Sequence, residues 1–178
     1  MNDLIELFHK VGELKKLKRA GWVLKKIPNP ESVADHSFRV AVMTLLLARK
    51  AGLNELKCVK MALIHDLAES IVGDLTPHDG ITIEKQHELE LNALKKLFSN
   101  NQELIDLWLE FEERKTLEAI FVRDMDKLEM ALQALEYETE NNKFNLNEFY
   151  DSAKARIKND FAKELFELVL EKRKLIKK

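Results

Sequence analysis

Apolar residues recur every three or four positions along most of the chain, the period of helices that bury one face. Leu4, Leu7, Phe8, Val11, Leu14 and Leu17 form the first such stripe. Residues 18–30 interrupt it with Gly21, Pro28 and Pro30 and read as an irregular connection. Ser32 can cap a second helix that runs to about Ala51 and stops at Gly52. Leu56, Val59, Leu63, Leu67 and Ile71 predict a third helix, ended by Gly73. A loop with Pro77 follows over Asp74–Gly80; Thr82 then caps a helix reaching about Phe98, and Asn101 begins a short one through Phe111. Thr116 starts a long helix carrying Phe121, Met125, Leu128, Leu132 and Leu135. Asn145–Asn147 marks a break before one or two last helices, within 147–178. The expected fold class is all-α, a single domain over residues 1–178 with no internal repeat.

Composition narrows the picture. The 178 residues are 46% hydrophobic and 34% charged, enough for a core under a solvated surface, and 5 Gly with 3 Pro are too few for a turn-rich β fold. Net charge is −2 with both signs interspersed, so no basic face suggests a nucleic-acid partner. Cys58 is the one cysteine, which rules out an internal disulfide and suits a reducing cytoplasm. Asp3, Glu6 and Lys10 argue against an N-terminal signal peptide. The stretch Met43–Ala48 is far too short to span a bilayer, so no membrane partner is expected.

The chemistry lies in polar residues set where helices should be buried. His65 and Asp66 follow Met61-Ala62-Leu63-Ile64 and precede Leu67-Ala68. Burying an imidazole beside a carboxylate is costly unless they pair or bind a metal. In a helix of 3.6 residues per turn, adjacent side chains point about 100° apart, so the two can reach one ion from two sides. His36 lies one turn before Val40, and Asp126 follows Phe121 and Val122 on the long helix. Two imidazoles and two carboxylates make a mixed nitrogen and oxygen set, suited to Mn, Co, Fe, Ni or Zn. No thiolate is near to favour a closed structural zinc site. A lone His-Asp dipeptide is nevertheless a weak signal, because single buried histidines are common in cores.

Several separate blocks add to it. Gly21-Trp22-Val23, Pro30-Glu31-Ser32-Val33-Ala34-Asp35-His36-Ser37, Ala62-Leu63-Ile64-His65-Asp66-Leu67-Ala68-Glu69 and Ile71-Val72-Gly73-Asp74 strongly resemble the HD-domain 5′-deoxynucleotidases. Val122-Arg123-Asp124-Met125-Asp126-Lys127-Leu128-Glu129-Met130 and Leu132-Gln133-Ala134-Leu135-Glu136-Tyr137-Glu138 match the same family, and the resemblance runs from about Leu17 to Tyr150. It implies one HD-domain helical bundle with the metal site between central helices. It also implies that His36, His65, Asp66 and Asp126 are metal ligands. Asp126, rather than Asp124, aligns with the family's last Asp, and Asp124 lies roughly 200° round the helix from it. Glu69 and Asp74 match acidic positions implicated in catalysis or a second metal. Glu69, at i+4 from His65 and i+3 from Asp66, is expected on their face. Arg19 and Trp22 fall where the family has substrate-contacting basic and aromatic residues, with Asp74 also able to reach the sugar.

The implied reaction removes the 5′-phosphate from a deoxynucleoside 5′-monophosphate in the cytoplasm. It uses a divalent ion, with Mn, Co, Mg, Zn, Ni and Fe all open, in a homodimer for which Phe161, Leu165, Phe166 and Leu168 could supply an interface. Other HD-type hydrolases acting on cyclic nucleotides, nucleoside triphosphates or guanosine tetraphosphate are alternatives. So is a non-catalytic, metal-stabilised nucleotide-binding module. Plain structural roles are open to the same residues: Glu69 as a helix-end acid, Asp74 as a loop or cap residue, Arg19 as a solvated partner of a nearby Glu, Trp22 as a core or lid anchor. Trp108 reads as core, and His9, His78 and His87 as surface residues.

Overall fold

The computed structural model describes residues 2–76, 79–99 and 101–177; Pro77 and His78, the latter expected at the surface, lie outside the described residues. The described residues form ten helices and no strand: α1 (Asn2–Glu13), α2 (Ala20–Leu24), α3 (Val33–Leu47), α4 (Glu55–Ile64), α5 (Glu69–Val72), α6 (Ile83–Leu97), α7 (Gln102–Glu113), α8 (Leu117–Glu140), α9 (Asn147–Arg156) and α10 (Asp160–Ile176). The all-α expectation holds. Thr82 and Thr116 cap α6 and α8, accepting hydrogen bonds from the Lys85 and Ala119 amides at 3.2 Å each.

Three expectations change. The first stripe ends as a helix at Glu13, where the chain tightens into i→i+3 bonds that still bury Leu14. The connection 18–30 contains the short helix α2, tied down by an isolated bridge between Lys18 and Ser32 and by the Arg19 amide donating to the Glu31 carbonyl at 3.1 Å. The third helix is two helices, α4 and α5, separated by a turn over residues 65–68.

The chain divides into two compact units, one of residues 1–38 and 63–109, the other of 39–62 and 110–178. In the first unit α5 packs against α1 and α6, and Trp22, Val33, Leu94 and Trp108 are among its buried side chains. The second unit is built on α8, which packs against α9 and α10. Fourteen residues of α8 are buried, including Asp124, Asp126, Glu129, Gln133 and Glu138, so it is an interior helix that carries charge.

Those charges are answered locally. Asp124 accepts the Lys158 and Asn159 amides at 3.0 and 2.6 Å and so pins the start of α10. Glu129 is paired with Arg39 at 2.7 Å, and the same guanidinium reaches Glu136 at 2.8 Å. Glu138 takes a two-bond fork from Arg173 at 2.7 and 2.9 Å, the Leu146 amide at 3.1 Å and the Tyr150 hydroxyl at 3.3 Å. Burial pushes the Glu138 pKa up, but the Arg173 fork and the Leu146 amide more than reverse this and leave it lowered.

A lowered folded pKa means that the Glu138 contribution is complete above the unfolded value of 4.5 and is lost as pH falls through the folded one. Breaking a buried ion pair costs about 3–5 kcal/mol. At about 2–4 °C per kcal/mol for a chain of this size, Glu138→Gln should lower Tm by roughly 6–20 °C at pH 7. Thermal melts from pH 7 to pH 3 should show that difference shrinking in acid; a constant gap would mean the carboxylate charge is not what holds α10 to α8.

Candidate active site

Local sequence sets the position of the first candidate ligand. Ser32 is the N-cap of α3: its Oγ accepts the Asp35 amide at 3.1 Å, while Asp35 Oδ2 accepts the Ser32 amide at 2.8 Å. This reciprocal box satisfies two otherwise orphaned amides and locks the first turn. His36, one residue further on, is thereby held with 0% exposure.

His65 and Asp66 stand where α4 gives way. Beyond Ile64 the backbone bonds run i→i+3: Leu67 to Ile64, Glu69 to Asp66, Ser70 to Leu67 and Ile71 to Ala68, at 3.0–3.2 Å. Such a turn advances about 120° per residue, so side chains three apart eclipse. Glu69 therefore aligns with Asp66, not equally with His65 and Asp66 as a regular α-helix would have it. This corrects the helical argument while keeping Glu69 beside Asp66.

The tightened turn brings three donor atoms together within the first unit. His65 Nε2 lies 3.4 Å from His36 Nε2 and 3.1 Å from Asp66 Oδ2, and His36 Nε2 lies 3.6 Å from Asp66 Oδ2. Metal–ligand bonds of about 2.1 Å place neighbouring ligand atoms roughly 3.0 Å apart in octahedral and roughly 3.4 Å apart in tetrahedral geometry. The observed spacings, and the chemistry of two imidazoles with one carboxylate, fit a divalent ion. Arg19 Nη1 stands 3.5 Å from Asp66 Oδ2. Burial raises the Asp66 pKa, but His65, His36 and Arg19 outweigh it and hold the carboxyl well below the usual range.

Glu69 sits in the opposite field. Burial, then the Asp66 and Asp74 charges, push its pKa well above the ordinary value against the pull of Arg19. Its Oε2 is buried with no hydrogen-bond partner among the described residues, a costly arrangement unless a ligand or water uses the atom.

The remaining candidates have structural partners. Asp74 Oδ2 accepts the Ala20 amide at 2.6 Å, so Asp74 does cap α2 and fastens it to the chain after Gly73. Trp22 is 2% exposed and donates its Nε1–H to Glu31 Oε1 at 2.8 Å. Its ring is an interior anchor, and Glu31 is the polar atom it presents. Asp126 belongs to the second unit, where it is buried on α8 with Lys127 at 3.2 Å and Arg123 at 3.8 Å.

One residue with a role at this turn goes beyond the core assignment its sequence suggests. Trp108 Nε1 donates to the main-chain oxygen of His65 at 3.1 Å. In a continuous helix the Glu69 amide would use that oxygen; here it turns to Asp66 instead, and the indole takes its place. His87 is not a free surface residue, since its ring stacks on Trp108 with centroids 5.2 Å apart. The signal available in the sequence was general: a buried indole needs an acceptor for its N–H.

A family model described as HD domain matches residues 11–166. The chain is 43% identical to the 5′-deoxynucleotidase HDDC2 of Dictyostelium discoideum, over 93% of this chain and 95% of that protein. It is 40% identical to the 5′-deoxynucleotidase HDDC2 of Homo sapiens, over 95% and 84%. Among solved structures, a conserved hypothetical protein from Pyrococcus furiosus superposes with a TM-score of 0.80 at 41% identity, over 96% of this chain and 99% of that one.

Trp108→Phe keeps an aromatic ring and removes the donor. Loss of an outer-shell partner typically costs 10–100-fold in metal affinity. Titration with Mn or Co should therefore show divalent-ion binding weakened by at least about 10-fold, with faster amide exchange across residues 65–69. Unchanged affinity and exchange would reduce Trp108 to core filling.

Proposed function

Because the chain belongs to the HD-domain family, a group that implies a divalent metal, we propose that it is a metal-dependent 5′-deoxynucleotidase, a hydrolase that removes phosphate from deoxynucleoside 5′-monophosphates. The observation that carries this reading is the three-donor cluster of His36, His65 and Asp66, held at 3.1–3.6 Å in a chain whose relatives bear that name. Residues 1–178 act as one HD domain in this reading, and the family match across 11–166, which includes residues of both units, supports it.

His36, His65, Asp66 and Asp126 would hold the ion, which when bound supplies Lewis acidity toward a phosphoryl oxygen and makes water a better nucleophile at neutral pH. Mn, Co, Mg, Zn, Ni and Fe are all compatible with nitrogen and oxygen donors of this kind. Arg19 places its guanidinium beside Asp66 and holds the phosphate dianion. Glu69, whose pKa is raised by burial and by the Asp66 and Asp74 charges and whose Oε2 has no partner among the described residues, would orient the attacking water or shuttle a proton. Asp74 keeps Oδ2 on the Ala20 amide, which sets the position of Arg19 next to it. Trp22 acts through Glu31 rather than by packing on the sugar. The partnerless Oε2 of Glu69 favours catalysis over a purely structural metal module, which has no use for it.

Among the described residues no helix is long and apolar enough to cross a membrane. A cytoplasmic setting suits Cys58, which is buried with its thiol pKa pushed up to about 12, chiefly by desolvation. For a homodimer, α10 offers less than its sequence suggested, because Phe166 is buried in the chain's own core and Phe161 and Leu165 are half-buried. The face of α3 that carries Phe38, Val42, Leu45 and Leu46 is the better surface: these residues share one helical stripe and are all exposed, Phe38 to 70%.

Phosphate release should be fastest from deoxynucleoside 5′-monophosphates, compared with ribonucleotides, 3′-monophosphates and triphosphates, in a screen over several divalent ions. Glu69→Ala should lower kcat at least about 100-fold, with primary metal content and substrate affinity within a few-fold of wild type. Equal rates on all the phosphates would remove the assignment, and loss of the primary metal in the variant would make Glu69 a ligand.

Light scattering should give twice the chain mass of 20.7 kDa, and Leu46→Glu should return the protein to one chain. A monomer in the wild type at micromolar concentration would rule the dimer out.

A further inference from the structure

The second unit contains a cavity that the reaction leaves unused. It measures about 510 Å³ and lies where the turn after α8 meets the last turns of α10. Phe144 and Leu170 supply an apolar side; Lys143, Arg173, Lys174 and Lys177 supply four cations; no carboxylate is among its lining residues.

Part of this charge has a structural explanation. Arg173 is spent on Glu138, with bonds of 2.7 and 2.9 Å, and Lys177 donates to the Phe144 and Asn142 carbonyls at 2.8 and 3.2 Å. The C-terminal ends of α8 and α10 also point here, each worth about half a negative charge. Lys143 and Lys174 fall outside that explanation: both are exposed, and neither has an ion-pair partner among the described residues. Four cations facing the buried Glu138 carboxylate, the Asp151 charge that acts on Arg173 and two helix ends leave an excess of about one positive charge at the mouth of a cavity with an aromatic wall.

We propose that this cavity is a second anion site, separate from the catalytic one, for a small polyphosphate, with Lys143 and Lys174 gripping two or more phosphate groups and Phe144 and Leu170 accommodating an attached aromatic ring. The volume lies within the range of small-molecule sites, about 300–1,000 Å³. Three asparagine side chains at its rim, Asn142, Asn145 and Asn147, can donate to phosphate or pair with a heterocycle. A nucleoside triphosphate and inorganic triphosphate share the phosphate chemistry and differ only in use of the apolar side.

Calorimetric titration of the full-length, metal-loaded enzyme distinguishes them, with inorganic triphosphate, dATP, ATP and deoxyadenosine as probes. The expected result is one triphosphate equivalent whose affinity falls at least 10-fold in Lys143→Glu/Lys174→Glu and falls steeply with salt, while deoxyadenosine does not bind. Hydrolysis of the monophosphate substrate should stay within two-fold of wild type in that variant, since both lysines are exposed and neither is among the residues proposed for the reaction. Tighter dATP than inorganic triphosphate, equalised by Phe144→Ala, would identify a nucleotide; equal affinities would identify the inorganic ion at the same site. No triphosphate binding, or binding unchanged by the double charge reversal, overturns the proposal.

Discussion

Two imidazoles and a carboxylate lie within 3.6 Å of one another in the first unit, and much of the local structure follows from holding them there. Groups so close and so buried are costly unless shared protons or a cation satisfy them. The chain meets this with local devices rather than one large one. A capping box locks the turn that carries His36. A run of tightened turns swings Asp66 to His65, and an indole from α7 takes up the carbonyl released by that change of pitch. Arg19 adds positive charge at the open edge of Asp66.

The second unit handles buried charge by the same logic with different partners. Asp124 is hydrogen-bonded by backbone amides, Glu129 is paired with Arg39, and Glu138 with Arg173 together with an amide and a hydroxyl. The contacts with Lys158, Asn159, Arg39 and Arg173 join α8 to segments 34 or more residues away, so the polar atoms of the interior helix act as registration pins. The cations beyond that requirement, Lys143 and Lys174, gather at one end of the unit.

Most of the helices were legible in the sequence, because their apolar stripes and the caps at Ser32, Thr82 and Thr116 are local signals. The break at His65–Ala68 was not. Met61 to Leu67 continues an apolar stripe through it, and the carbonyl freed by the change to i→i+3 bonding is taken up by Trp108, 43 residues away. Helix α2 was hidden for a similar reason: five residues that include Gly21 and run up to Pro28 and Pro30 carry little periodicity, and Asp74, 54 residues on, caps the Ala20 amide. His36, His65, Asp66, Glu69 and Asp74 lie in the motif blocks and Arg19 just ahead of the first, as a looser match, whereas the partners that orient them are tertiary. Trp22 shows the limit of a motif: its position was recognisable, but that its ring faces inward to Glu31 was not.

The two carboxylates of the tightened turn complete the chemical logic. Asp66 and Glu69 are three residues apart and nearly eclipsed, yet their environments push them in opposite directions. Asp66 faces two imidazoles and a guanidinium, which hold its pKa low and so favour the anion that the proposed metal-binding role needs. Glu69 lies one turn further on, where burial and the charges of Asp66 and Asp74 make a second anion costly. Like charges in a confined site do not both ionise easily, so the proton goes to the member with fewer cationic neighbours. Separation of two acids in this way suits the roles proposed for them, an anion for binding beside a proton carrier for catalysis. The tight turn is what sets that difference up, since in a regular α-helix Glu69 would lie between the faces of His65 and Asp66 and share more of their field.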